Sequence, residues 1–115
     1  MGSPVVHYEI RAADPDAARA FYGKLFGWTF PTAVEPGYTY VETGETGGIP
    51  GGIGRAQQGM GHVTFFVRVD DVAAALAKAT TLGANVFLPA THVPGVTFGL
   101  FADPEGHVIG VSKND

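Results

Sequence analysis

The stretch Asp14-Pro15-Asp16-Ala17-Ala18-Arg19-Ala20-Phe21-Tyr22-Gly23-Lys24-Leu25-Phe26-Gly27-Trp28 decides how the chain is read. Asp14 is a good N-cap, because its carboxylate can accept an orphan N–H of the first turn. Pro15 suits the first helical position, where no N–H is needed. Ala18, Phe21, Tyr22, Leu25 and Phe26 recur at i, i+3, i+4, i+7 and i+8, the spacing of one apolar stripe. Gly27 offers a left-handed stop. Before this helix, Val6, Tyr8 and Ile10 alternate with His7, Glu9 and Arg11 as in a strand. A strand followed by a capped helix therefore opens the protein.

The same unit returns further along. His62 to Val69 alternates, with Val63, Phe65, Val67 and Val69 on the face expected under a helix and His62, Thr64, Phe66 and Arg68 on the other. Asp70 or Asp71 caps a second helix, whose stripe is Val72, Ala75, Leu76 and Ala79 and whose stop is Gly83. The separations agree, 27 − 14 = 13 and 83 − 70 = 13, and Asp-x-x-Ala-Ala occurs at both starts. After the first helix, strands are expected over Trp28 to Ala33, Tyr38 to Thr43 and Ile49 to Gly54. After the second they are expected over Asn85 to Pro89, Val96 to Ala102 and His107 to Ser112. Each half reads strand, helix and three strands, so the fold class is α+β and the simplest account is a duplicated βαβββ unit. The whole chain, 1–115, is one domain, with module one at about 5–54, module two at about 62–112, and the boundary at Arg55 to Gly61.

Composition narrows the function classes. The net charge is 7 − 11 = −4 with no basic cluster, so neither nucleic acid nor an acidic membrane surface is an expected partner. There is no cysteine, which excludes disulfides, thiolate metal sites and cysteine nucleophiles. No apolar run approaches the roughly 20 residues of a bilayer span, and a cytoplasmic protein is the expectation. The glycines of Gly47 to Gly61 lack a Gly-Lys-Ser/Thr phosphate loop and read as a hinge or flap. No Gly-x-Ser-x-Gly is present. His92 reads as a solvated loop residue, and His107 as a stabiliser of the Asp103-Pro104-Glu105-Gly106 turn.

With both halves laid out, the chain resembles the vicinal oxygen chelate superfamily of glyoxalase I, bleomycin-resistance proteins and extradiol dioxygenases. The resemblance is carried by His7-x-Glu9-Ile10 before Asp14-Pro15, by Phe21-Tyr22-Gly23-Lys24-Leu25-Phe26-Gly27-Trp28, and by Val67-Arg68-Val69-Asp70-Asp71-Val72. Leu82-Gly83-Ala84 and Phe101-Ala102-Asp103-Pro104-Glu105-Gly106-His107-Val108-Ile109-Gly110 complete it. The closest likeness is to small glyoxalase-like members. The resemblance implies two tandem βαβββ modules forming a curved-sheet cup, with helices on the outer faces, a small-molecule ligand inside and a homodimer as the assembly.

The resemblance also implies four metal ligands, two per module. His7 stands at the first position. The second, a Glu in the fourth strand, falls within Pro50 to Gly54, where no carboxylate exists. The third, the counterpart of His7, falls on Val63 or Thr64, and the fourth on Gly110. Three of the four positions are empty. A displaced site of His7, His62 and Glu9 or Glu42 is the alternative arrangement for a divalent ion such as zinc, iron, nickel or manganese. On that reading Glu9 or Glu42 is the catalytic base of a lyase, isomerase or dioxygenase. The competing expectation is a metal-free dimer that sequesters an antibiotic or metabolite, with His7 and His62 as polar lining. Arg11, Thr64, Phe66 and Arg68 are the ligand-binding candidates; Arg11 and Arg68 either hold an anion or neutralise Glu9.

Overall fold

Strand β1 (Val5–Ala12) and helix α1 (Pro15–Phe26) form where their residues require them in a computed structural model that describes residues 2–35, 37–56 and 61–115. The Asp14 carboxylate accepts the Ala17 N–H at 3.1 Å, a cap worth about 1 kcal/mol. Gly27 closes the helix at φ 74°, donating its N–H to the Gly23 carbonyl. Three strands follow: β2 (Ala33–Glu35), β3 (Tyr38–Tyr40) and β4 (Gly51–Arg55). The second pass runs β5 (His62–Arg68), α2 (Val72–Thr81), β6 (Asn85–Val93), β7 (Val96–Ala102) and β8 (Val108–Asn114). Asp71 is the cap of α2, accepting the Ala74 N–H at 3.0 Å.

Both passes pair their strands alike. In the first, β1 lies parallel to β4, β3 antiparallel to β4, and β2 antiparallel to β3. In the second, β5 lies parallel to β8, β7 antiparallel to β8, and β6 antiparallel to β7. The chain is thus α+β and built from two βαβββ modules. By contacts it divides into two units, His7–Val63 and the segment ending at Val6 together with Thr64–Asp115.

In the second module the core lies between α2 and the sheet. Val72, Leu76 and Val111 are its buried centre, with Val69, Ala75 and Phe101 against them. Gly99 is needed there, because an added Cβ would come 2.8 Å from the Leu76 Cδ1 atom and 3.0 Å from the Leu88 carbonyl oxygen. In the first module Ile53 is fully buried, and Arg19 crosses from α1 to Thr39 Oγ1 at 3.2 Å and the Ile53 carbonyl at 3.5 Å.

Several expectations are corrected. The inward stripe of α1 is Pro15, Ala18, Arg19, Tyr22 and Gly23, whereas Phe21, Leu25 and Phe26 remain 59, 58 and 57% exposed. Gly23 lies on the inward side, where its missing Cβ lets the Trp28 carbonyl approach, and Trp28 stacks on Tyr22 at a centroid distance of 5.6 Å and meets Phe26 in a tilted contact at 5.2 Å. Val63 is 71% and Phe65 40% exposed, whereas Val69, just past the end of β5, packs against the core under α2. Trp28 to Thr32 is not a strand: Thr29 forms an isolated bridge with Glu42, β2 begins only at Ala33, and Pro31 has no N–H to continue a ladder. β3 stops at Tyr40, short of the expected Thr43. Edge strand β6 runs through Pro89 to Val93 by shifting register twice, which places His92 in a strand. There His92 meets Asp115 at 2.8 Å rather than standing in solvent alone.

Gly51, Gly52 and Gly54 are buried strand residues of β4, not hinge residues. Gln57–Met60, the rest of the expected boundary, lie outside the described residues. His107 does brace its turn, since the Asp103 carboxylate accepts its backbone N–H at 2.9 Å and meets its ring Nδ1 at 3.0 Å.

Candidate functional site

Strand parity in β1 sends His7, Glu9 and Arg11 to the face opposite α1. The ladder extends that face sideways, for Glu9 stands beside Gly52 and Arg11 beside Gly54, and Gly52 in turn beside Tyr40. Onto the bare glycine backbone lies the ring of Tyr38, which is 8% exposed. A Cβ on Gly52 would interpenetrate that ring, and one on Gly54 would stand 2.5 Å from its Cδ2 and 2.9 Å from Arg11 Nη1. Tyr38 is the organising side chain of this face. Its hydroxyl stands 2.9 Å from His7 Nε2, and the Arg11 guanidinium lies 4.9 Å from its ring centroid.

The charges are paired. Arg11 Nη2 donates to Glu9 Oε1 at 3.0 Å, with the two side chains 16 and 7% exposed. His62 Nε2 stands 3.6 Å from Glu9 Oε2, too long for a hydrogen bond, and is buried without a hydrogen-bond partner. Of the two roles open to Arg11, the geometry is that of neutralising Glu9. Burial lowers the His7 pKa below its ordinary value, and nearby Glu9 opposes this only in part. The neutral form of His7 is therefore favoured, and its Nε2 accepts a hydrogen bond from the Tyr38 hydroxyl or donates one to it according to the tautomer.

The second module carries Thr64, Phe66 and Arg68 at the corresponding positions of β5. Thr64 is 4% exposed and donates to the Val108 carbonyl, which makes it a brace between strands. Phe66 is 5% exposed, stands in register with Gly110 and makes an edge contact with Phe98 at 6.4 Å. Arg68 is exposed. Glu42 is not with Glu9: it lines a separate cleft of about 210 Å³ with Tyr8, Glu45, Ile49 and Pro50. Of the candidate residues, then, the fold brings Glu9, Arg11 and His62 together, seats His7 beside them on Tyr38, and leaves Glu42 elsewhere.

These residues do not fit a divalent ion of the family's kind. Register settles which residues stand where: Glu9 pairs with Gly52 in one module, and Phe66 with Gly110 in the other. The position two residues before each is His7 and Thr64. One imidazole, one hydroxyl committed to a carbonyl and two glycines do not make a ligand set. Nor does the displaced grouping form, since among the described residues no three His, Asp or Glu side chains gather at metal-binding distance.

Sequence reading missed Tyr38, which entered only as the first residue of an expected strand. The signal was available in Gly51-Gly52-Ile53-Gly54: glycines inside a strand mark the close approach of another group.

Two βαβββ modules of this pairing are the fold of the glyoxalase class of α+β proteins. The chain belongs to the glyoxalase-like domain family, which it matches over residues 7–112. Comparison with curated proteins gives no match. Solved structures share the fold. A protein described as an NAD-dependent benzaldehyde dehydrogenase from Legionella pneumophila superposes with a TM-score of 0.68 at 13% identity, covering 97% of this chain and 100% of its own. Methylmalonyl-CoA epimerase from Mycobacterium tuberculosis gives 0.62 at 16% identity, over 96 and 87%. The Mn(II)-bound glyoxalase from Novosphingobium aromaticivorans gives 0.64 at 18% identity, covering 96% of this chain and 38% of that one. At such identities the likeness concerns the fold alone. No helix among the described residues is long and apolar enough to cross a membrane.

Proposed function

We propose that this chain is a glyoxalase-like small-molecule-binding protein that sequesters an uncharged organic ligand on the His7/Glu9/Arg11 face of its first module. The observation that carries the reading is the Glu9–Arg11 pair. It is internally neutral and largely desolvated, so Arg11 is committed and offers an anion no free cation. An amine ligand would have to compete with Arg11 for the same carboxylate. What remains to a ligand is hydrogen bonding beside His62 and stacking on Tyr40, whose ring is 45% exposed and 6.2 Å from His7. A homodimer is part of the proposal; it is supported by the three large apolar side chains that α1 leaves uncovered.

Thermal-shift screening against matched neutral, anionic and cationic aromatic compounds, followed by calorimetry, tests the ligand class. Neutral compounds are expected to bind with affinities that hardly change between low and high salt. Carboxylates or phosphates binding best, with affinity falling steeply as salt rises, would overturn the proposal. Light scattering during size-exclusion chromatography tests the dimer, and a monomer at micromolar concentration would remove that part.

A further inference from the structure

We infer that both carboxylate positions of the family's metal site have been converted into glycine seats for aromatic rings, one in each module, so that ligand recognition in this chain is metal-independent. This deepens the proposed ligand-binding reading. The two seats are equivalent by topology. Gly52 lies in β4, the last strand of its module, beside position 9 of the first strand. Gly110 lies in β8, the last strand of the other module, beside position 66 of its first strand. Each glycine carries a buried ring, Tyr38 on Gly52 and Phe66 on Gly110. In both cases an added Cβ would overlap atoms of the aromatic side chain, Tyr38 Oη, Cζ and Cε1 at Gly52 and Phe66 Cδ2 and Cε2 at Gly110, so the space a carboxylate needs is already filled.

The device is more than the loss of two acids. A lost ligand alone would leave a wet hollow that one substitution could restore. Here neither φ is positive, so the backbone tolerates a side chain and the obstacle is the ring. Restoring an acid therefore requires moving an aromatic as well. Tyr38 has a further tie, because its hydroxyl occupies His7 Nε2, the nitrogen of the remaining family ligand. A metal claiming His7 would have to displace a buried phenol.

The test uses the intact chain and the ions themselves. Zinc, nickel and manganese salts, and ferrous iron without oxygen, are titrated into chelator-treated protein by calorimetry and native mass spectrometry. No stoichiometric binding at micromolar concentration is expected. One ion per chain, lost in His7→Ala, would overturn the inference. A second arm addresses the seats. Gly110→Glu is expected to lower Tm by several degrees, and Phe66→Ala/Gly110→Glu to lose less than the sum of the two single losses. An unchanged Tm for Gly110→Glu would show that the seat is not filled; if that variant is insoluble, Gly110→Ala asks the same question with a single methyl group. Ligand affinity with and without EDTA keeps the two readings apart. Metal binding with EDTA-insensitive ligand affinity sinks only the inference, and EDTA-sensitive affinity sinks both.

Discussion

Replacing Gly110 by Ala adds one methyl group to a filled seat. The nearest ring atoms of Phe66 are Cδ2, Cε2 and Cγ, and even Cγ would stand only 2.8 Å from the new Cβ. Carbon atoms in contact settle at about 3.5–4.0 Å, so Cγ must retreat by at least about 0.7 Å and the two outer atoms by more. Phe66 has little room to do so, being 5% exposed with Phe98 beside it. Overpacking of this kind costs about 1–3 kcal/mol. In a domain of this size that corresponds to a Tm loss of about 4–12 °C, taking roughly 4 °C per kcal/mol. Phe66→Ala alone should cost about 3–5 kcal/mol through the cavity it leaves. The double variant should cost less than the sum by at least about 1 kcal/mol, because the methyl then enters space the ring has vacated. Urea denaturation of all four proteins closes the cycle. A Gly110→Ala change below about 0.5 kcal/mol, or strict additivity with Phe66→Ala, would refute the seat as described.

Three further outcomes are expected. Arg11→Met should cost about 3 kcal/mol or more by stranding the buried Glu9 carboxylate, and Glu9→Gln/Arg11→Met should recover part of it, both read from urea midpoints. His7 has a folded pKa below its unfolded value, so its contribution is fully present above about pH 6.5 and is lost as the pH falls towards the folded value, with a slope of at most about 1.4 kcal/mol per pH unit. His7→Gln should flatten that part of the stability–pH curve, and an unchanged curve would contradict the burial of the ring. Asp14→Ala and Asp71→Ala should each cost about 1 kcal/mol and add, since the caps belong to separate helices.

The duplicated architecture was legible because it rests on local chemistry. Asp14 and Asp71 can cap without knowing what surrounds them, and the alternation of β1 and β5 is fixed by the pleat. The directions of His7, Glu9 and Arg11 followed from the same parity. What could not be read was decided by contacts that exist only in the folded chain. Phe21, Leu25 and Phe26 satisfy a helical stripe as well as the residues that turn inward, and the inward side is seen only in its contacts, Gly23 against the Trp28 carbonyl and Arg19 on Thr39. Glu42 and Glu9 are chemically equivalent in a sequence, and only the register of β1, β3 and β4 separates them. The pairing of Arg11 with Glu9 was one of two roles left open in the sequence, and the folded chain holds the two at 3.0 Å. Tyr38 was hidden because its importance comes from what its partners lack.

Strand β4 has a consequence for the order in which the first module assembles. Three of its five residues are glycine, and each loses about 0.5–1 kcal/mol more chain entropy than alanine on becoming extended. The segment has almost no tendency to be a strand by itself. It is held by parallel pairing to β1, antiparallel pairing to β3 and the rings of Tyr8 and Tyr38 laid across it. Those partners must be in place first, so β4 belongs to the late side of the folding barrier and is the first part of the module to be released. Its amides should exchange with solvent together, through one shared opening, and loosening either tyrosine should accelerate all of them at once.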